Sequence, residues 1–242
     1  MENLQLGDMV LTGKADYEPV YAFGHQEKDV LASFVQIHKK DKQPLEVTPE
    51  HLVFLDGHAN PVRADSIKAG DMLVGQDGTT NNVVTKVKTI TKKGLYDPLT
   101  RSGTIAVDGV IASTYISLQD KEASAEYVDF QGGMNSGISH HDFVHMVLSP
   151  FRMLCSGVSS NMCTPTANDG MPLYVSKGLD FAKWADKQNL VVQGLLFLLV
   201  ATICMACFAV EASFGPNLAP LAMLVAAVIW YKQNGIWKEK QV

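Results

Sequence analysis

Hydrophobic and polar positions divide this chain into two unlike parts. Up to about residue 118 the apolar residues come in short runs: VYAF (20–23), LASFVQI (31–37), LEV (45–47), HLVFL (51–55), NVVTKVKTI (82–90) and GTIAVDGVIAS (103–113). Gly, Asp, Asn and Pro separate them at roughly ten-residue intervals, the punctuation of an all-β unit of short strands. From Ser139 the spacing turns helical, in SHHDFVHMVLSPFRML. The stretch 156–176 is crowded with Ser, Thr, Asn, Gly and Pro and reads as a linker or long loop. The pattern therefore predicts a β domain over 1–118, a helical extension over 119–155 and a linker with an amphipathic segment over 156–187. Membrane segments over 188–232 and a basic tail over 233–242 complete the chain.

The membrane assignment rests on Gln188 to Val210, 23 residues without a charge. A bilayer core of ~30 Å needs ~20 apolar helical residues, so this stretch is long enough to span. After Glu211 and the turn-forming Phe214-Gly215-Pro216-Asn217, Leu218 to Tyr231 is again uncharged, but it is shorter and carries Pro220. Neither stretch repeats a polar face at helical spacing, which excludes an amphipathic surface helix. Two spans would make a hairpin with Lys183, Lys187, Lys232, Lys238 and Lys240 on one side. One span would leave the second stretch interfacial or re-entrant, and both arrangements stay open.

Charge and cysteines narrow the chemistry. With 20 Lys+Arg against 25 Asp+Glu there is no basic excess for a phosphate backbone, so nucleic acid is not the partner. Four cysteines are too few for a disulfide scaffold, although Cys155 and Cys163 could pair in an oxidising compartment. Cys204 and Cys207 lie inside the apolar run, where small side chains pack between helices. His141 and His145 have i, i+4 metal spacing, but no Glu takes the metalloprotease position and no third ligand suggests itself. They read as residues packing the helix onto the β domain, and no metal or cofactor is called for.

The β region contains a duplication. Leu6-Gly7-Asp8-Met9-Val10-Leu11 and Ala69-Gly70-Asp71-Met72-Leu73-Val74 are nearly the same hexapeptide, each leading into a strand. The runs 45–55 and 105–115 follow at similar offsets, which suggests two β subunits related by pseudo-two-fold symmetry. The copies differ chemically: Thr48 and His51 in the first run stand where the second has Asp108 and Ile111. Polar groups inside an apolar strand cost desolvation unless they are bonded or used. One half thus holds a candidate site and the other serves as scaffold.

At these residues the chain resembles the Hint domain of Hedgehog-type proteins (the Hog subfamily), whose fold is shared with inteins. The agreeing segments are Leu4–Leu11, Thr48-Pro49-Glu50-His51-Leu52-Val53-Phe54, Gly94–Thr100, Gly103–Tyr115, and His141-x-x-x-His145 followed by Pro150-Phe151-Arg152. They occur in the family's order over roughly residues 1–152. The Thr-x-x-His is weak alone. The GLYDPLT and GTIAVDGVIASTY block is specific and favours the Hedgehog side over inteins.

The resemblance implies a self-processing domain. A cysteine opening the domain attacks the carbonyl before it in an N–S acyl shift, and a lipid or sterol alcohol, a thiol or water then cleaves the thioester. The substrate is the protein's own N-terminal segment. Carried over by motif, His51 is the imidazole that protonates the leaving amide nitrogen, and Thr48 orients the scissile peptide. His25 falls where animal Hedgehog proteins carry an aspartate used in the second step; a histidine there can still act as a base toward an incoming alcohol, although the departure puts a sterol acceptor in doubt. The resemblance places the domain in the secretory pathway, at a membrane.

Cys155, Cys163, Cys204 and Cys207 all follow the β region, and Met1 has no ionisable proton to replace a thiol. Either the chain lacks its first strand and nucleophile by truncation or it is a decayed copy, and as written it is not expected to cleave itself. The alternative function is a non-catalytic membrane-anchored interaction module that keeps the fold. A transporter is disfavoured, because one or two spans without intramembrane charge provide no pathway.

Overall fold

A computed structural model describes residues 1–13, 16–40, 42–78, 82–117, 126–130, 134–157, 163–165 and 170–214. The strands are β1 (Met9–Leu11), β2 (Tyr17–Pro19), β3 (Ala22–Lys39), β4 (Leu45–Val47), β5 (His51–Val53) and β6 (Val62–Arg63). Then come β7 (Met72–Leu73), β8 (Asn82–Leu99), β9 (Thr104–Val107), β10 (Val110–Ile116), β11 (Tyr127–Phe130) and β12 (Met134–Ser139). Helices α1 (His140–Val147), α2 (Ser149–Gly157), α3 (Leu173–Asp186) and α4 (Leu190–Phe214) follow.

The duplication is visible bond for bond. Gly7 and Gly70 both adopt the left-handed φ that glycine alone takes without strain, +88° and +97°. Each donates its N–H across one hairpin, Gly7 to Val20 O and Gly70 to Val84 O, both at 2.9 Å. The next aspartates, Asp8 and Asp71, accept from the backbone three residues earlier, both at 2.8 Å. Equal hexapeptides make equal turns, leading into β1 in one half and β7 in the other.

Two sheets carry the domain, ordered β4-β3-β8-β7 and β6-β5-β10-β9, with small β1-β2 and β11-β12 ribbons beside them. Where short strands are expected, β3 and β8 are instead 18 residues each and pair antiparallel along their length, with irregularities at Phe23/Gln26 and Glu27/Leu31. Their outer portions are polar on both faces and largely exposed, so they lack the alternation that announces a half-buried strand. One buried cluster gathers Val35, Ile37, Leu45, Val53 and Leu73 between the sheets. A second joins Ala22, Leu52, Leu99 and Tyr115 to Val144 of α1 and Phe151 of α2. Each such fully buried large side chain contributes roughly 1.5–3 kcal/mol.

Within the region assigned to helix, 119–155, the β11–β12 hairpin precedes the helices. Its strands are four and six residues long, too short to announce themselves by periodicity. Helix α1 begins where the spacing changes, capped by Ser139, whose side chain accepts from Asp142 N. The stretch 156–187 includes the 14-residue α3 as well as loop. The second apolar stretch, 218–231, and the basic tail 233–242 lie outside the described residues.

Candidate active site

Thr48 lies outside any strand, and His51 is the first residue of one. Pro49 has no N–H to give a ladder, and Thr48–Glu50 form the turn between β4 and β5, closed by His51 N donating to Thr48 O at 3.1 Å. His51 therefore opens β5, and both side chains line one cavity of about 1770 Å³. His25, on β3, lines the same cavity, and so do Met1 and Glu2. All three residues singled out by the motifs thus meet in one space together with the front of the chain.

The His51 imidazole is held from the other half of the duplication. Its Nε2 lies 2.8 Å from the carbonyl oxygen of Ser113 on β10. A carbonyl only accepts, so Nε2 carries the proton and Nδ1 holds the lone pair. Burial pushes the imidazole below its ordinary pKa, and the Ser113 carbonyl bond opposes this only in part. His51 is consequently neutral at neutral pH, with Nδ1 ready to take a proton. Thr48 makes no side-chain hydrogen bond among the described residues. His25 Nε2 sits 3.2 Å from Glu27 Oε2 and packs beside Gly170.

Ser113 also binds outward. Its hydroxyl pairs with His141 Nδ1 at 2.9 Å and accepts from Tyr115 N at 2.9 Å. His145 Nδ1 pairs with the Tyr115 hydroxyl at 2.9 Å, and the two histidine rings stack 6.0 Å apart. The i, i+4 histidines therefore clamp α1 onto β10 behind the site. Among the described residues no group of three His, Cys, Asp or Glu is placed to hold a metal ion.

Two participants escaped the sequence reading. Ser113 has no sequence signal as a histidine partner, since the two residues are 62 apart. Asp97, in the GLYDPLT segment, also lines the cavity; one of its carboxyl oxygens, Oδ1, is shut off from solvent and has no hydrogen-bond partner among the described residues. Burial raises this carboxyl to about 7.

The cavity's far wall is apolar and is built by α3 and α4, with Leu179, Phe181, Leu196, Phe197 and Val200 among its lining. Helix α4 is long and apolar enough to cross a membrane, and only 6% of its most apolar stretch is buried in the protein. Its C-terminal part docks on the domain: Cys204 O accepts from Ser149 Oγ, and Glu211 pairs with Arg152 at 2.7 Å. Cys155 and Cys163 form a disulfide that ties the loop ahead of α3 to α2.

Comparison with known proteins bears on this geometry. A family model described as the Hint module matches residues 1–128. Protein hedgehog of Drosophila melanogaster is 36% identical over 124 residues, 46% of this chain and 26% of that protein. Protein hedgehog of Drosophila virilis is 29% identical over 165 residues, 64% of this chain and 30% of that protein. Warthog protein 1 of Caenorhabditis elegans is 26% identical over 139 residues, 54% of this chain and 29% of that protein. Among solved structures, a crystal structure of the gp41-1 intein aligns at 15% identity and a TM-score of 0.40, covering 47% of this chain and 85% of that one. The chain spans between a quarter and a third of the length of these curated relatives.

Proposed function

The chain belongs to the Hint family in its Hedgehog-type branch, and from that premise we propose that it is the processing part of a longer protein that cuts itself at the front of the Hint fold. A thiol supplied on the N-terminal side of Leu4 attacks the carbonyl carbon of the residue before it. The C–S bond forms, the C–N bond breaks, and an amine leaves. An amide nitrogen is a poor leaving group until it is protonated, which is the task assigned to His51. Its Nδ1 takes the proton of the thiol and returns it to the departing nitrogen, while Nε2 stays anchored on the Ser113 carbonyl. The free Thr48 hydroxyl, in the same cavity, orients the scissile peptide. The observation that carries this reading is that Met1 and Glu2 share one cavity with Thr48 and His51.

A second nucleophile then attacks the thioester carbon, its bond to that carbon replacing the C–S bond. The apolar wall of α3 and α4 favours a lipid alcohol, and thiol or water serve the same chemistry. His25 is assigned to the side of the cavity where this nucleophile enters. We place the domain in the secretory pathway, since the Cys155–Cys163 disulfide suits an oxidising compartment. Helix α4 is assigned to the membrane: Val191, Leu195, Leu198 and Leu199 are more than half exposed, a state that lipid relieves and water does not. All four cysteines lie on the C-terminal side of the site, so the attacking thiol of this reading comes from the upstream segment of the precursor.

The test is to express the gene's own upstream coding sequence with this chain as one precursor. Dithiothreitol is expected to release the N-terminal fragment, read by gel and by mass at the junction. An upstream segment that offers no thiol, or a precursor that stays intact in dithiothreitol, would leave the fold as a non-catalytic interaction module.

A further inference from the structure

We propose that Asp97 is the catalytic base that takes the proton of the second nucleophile. The assignment deepens the reading above and rests on its thioester.

Antiparallel pairing of β3 with β8 brings Asp97 against Gly24. A Cβ on Gly24 would lie 2.2 Å from Asp97 Oδ2, so the missing side chain is what makes room for the carboxyl group. The next residue along β3 is His25, and Gly24, His25, Thr48, His51 and Asp97 line one cavity. An Asp before a Pro usually marks a turn, where its oxygens find backbone donors or water. Asp97 instead lies within β8, with Oδ1 closed to solvent and unbonded among the described residues. A buried acceptor left unmet costs free energy that a merely structural residue would shed by substitution. Asp97 as a whole is only half-buried and its Oδ2 is not among the enclosed atoms, so a hydroxyl entering the cavity meets the carboxyl group on that side.

The step balances. The nucleophile's oxygen forms a bond to the thioester carbon as its O–H proton passes to the Asp97 carboxylate. The C–S bond breaks, the sulfur leaves as thiolate, and the proton then moves from Asp97 to that thiolate. Net, acyl thioester and alcohol or water give ester or acid and free thiol.

Burial alone raises Asp97, to about 7, so the base form grows as pH rises through neutrality. Tyr21, ahead of β3, lies close enough to feel the Asp97 charge, and His25 on β3, His51 on β5, Tyr96 on β8, Tyr115 on β10 and Glu50 between β4 and β5 line the same cavity.

The precursor tests this with two readouts. Dithiothreitol attacks as a thiolate and needs no base; hydrolysis in buffer, or cleavage by added octanol, does need one. Asp97→Asn, which keeps the shape, is expected to leave dithiothreitol release within about twofold and to slow the thiol-free release by about 10²–10⁴-fold. The rise of thiol-free release near pH 7 should vanish with it, and Asp97→Glu should restore part of the rate. Equal loss in both assays, or no loss in either, would overturn the role of Asp97. Wild-type precursor that fails in dithiothreitol would overturn the thioester reading itself, and Asp97's role with it.

Discussion

His51→Ala in the precursor is expected to slow thioester formation by about 10²–10⁴-fold, the usual worth of a positioned proton donor. Fragment release should stay slow in dithiothreitol, since added thiol cannot cleave a thioester that never forms. This separates His51 from Asp97, whose loss spares the dithiothreitol reaction. The pH dependence has a definite sign. Burial holds the folded-state pKa of His51 below its ordinary value, so between the two values the unfolded chain binds more protons than the folded one. Stability from this group is fully present above about pH 6.5 and is lost as pH falls through the folded value. Acid also fills Nδ1 before the thiol can use it, so wild-type thioester formation should fall on the same side. His51→Ala should flatten the acid limb of a urea-midpoint profile. Release in dithiothreitol within about tenfold of wild type would remove His51 from the mechanism.

The parts of this molecule legible in its sequence are those written locally. The two Gly-Asp hexapeptides fix two equal turns, because a left-handed glycine and an Asp accepting from three residues back are short-range demands. The start of α1 at Ser139 and the apolar length of α4 are local in the same sense. Thr48 and His51 stood out as polar residues in an apolar run, and both line the cavity, yet their setting as a turn depended on Pro49. What stayed hidden was decided across distance. Ser113 holds His51 only because β10 pairs with β5, and the Asp97 carboxyl fits where it does only because Gly24 lies across from it. The halves therefore do not divide cleanly into site and scaffold: β10, from the copy without the Thr-x-x-His, holds the imidazole. The long arms of β3 and β8 were illegible for the opposite reason, since a strand polar on both faces has no period to read.

Glu211→Ala is expected to destabilise the protein by about 3–5 kcal/mol, the effect of stripping a buried charge of its partner. Arg152 has no exposed side-chain surface. Its Nε and Nη2 donate to Glu211 at 2.8 and 2.7 Å, and Nη1 donates to His145 O at 2.9 Å. Removing the carboxylate leaves a buried guanidinium without its counter-ion, and it also takes away the acceptor that Arg101 meets at 3.6 Å. Replacing both partners, Arg152→Met with Glu211→Leu, should instead fall close to wild type, because apolar residues of similar volume carry no desolvation cost. Urea midpoints of the single and the double variant in detergent measure this, and a Glu211→Ala protein as stable as wild type would sink it.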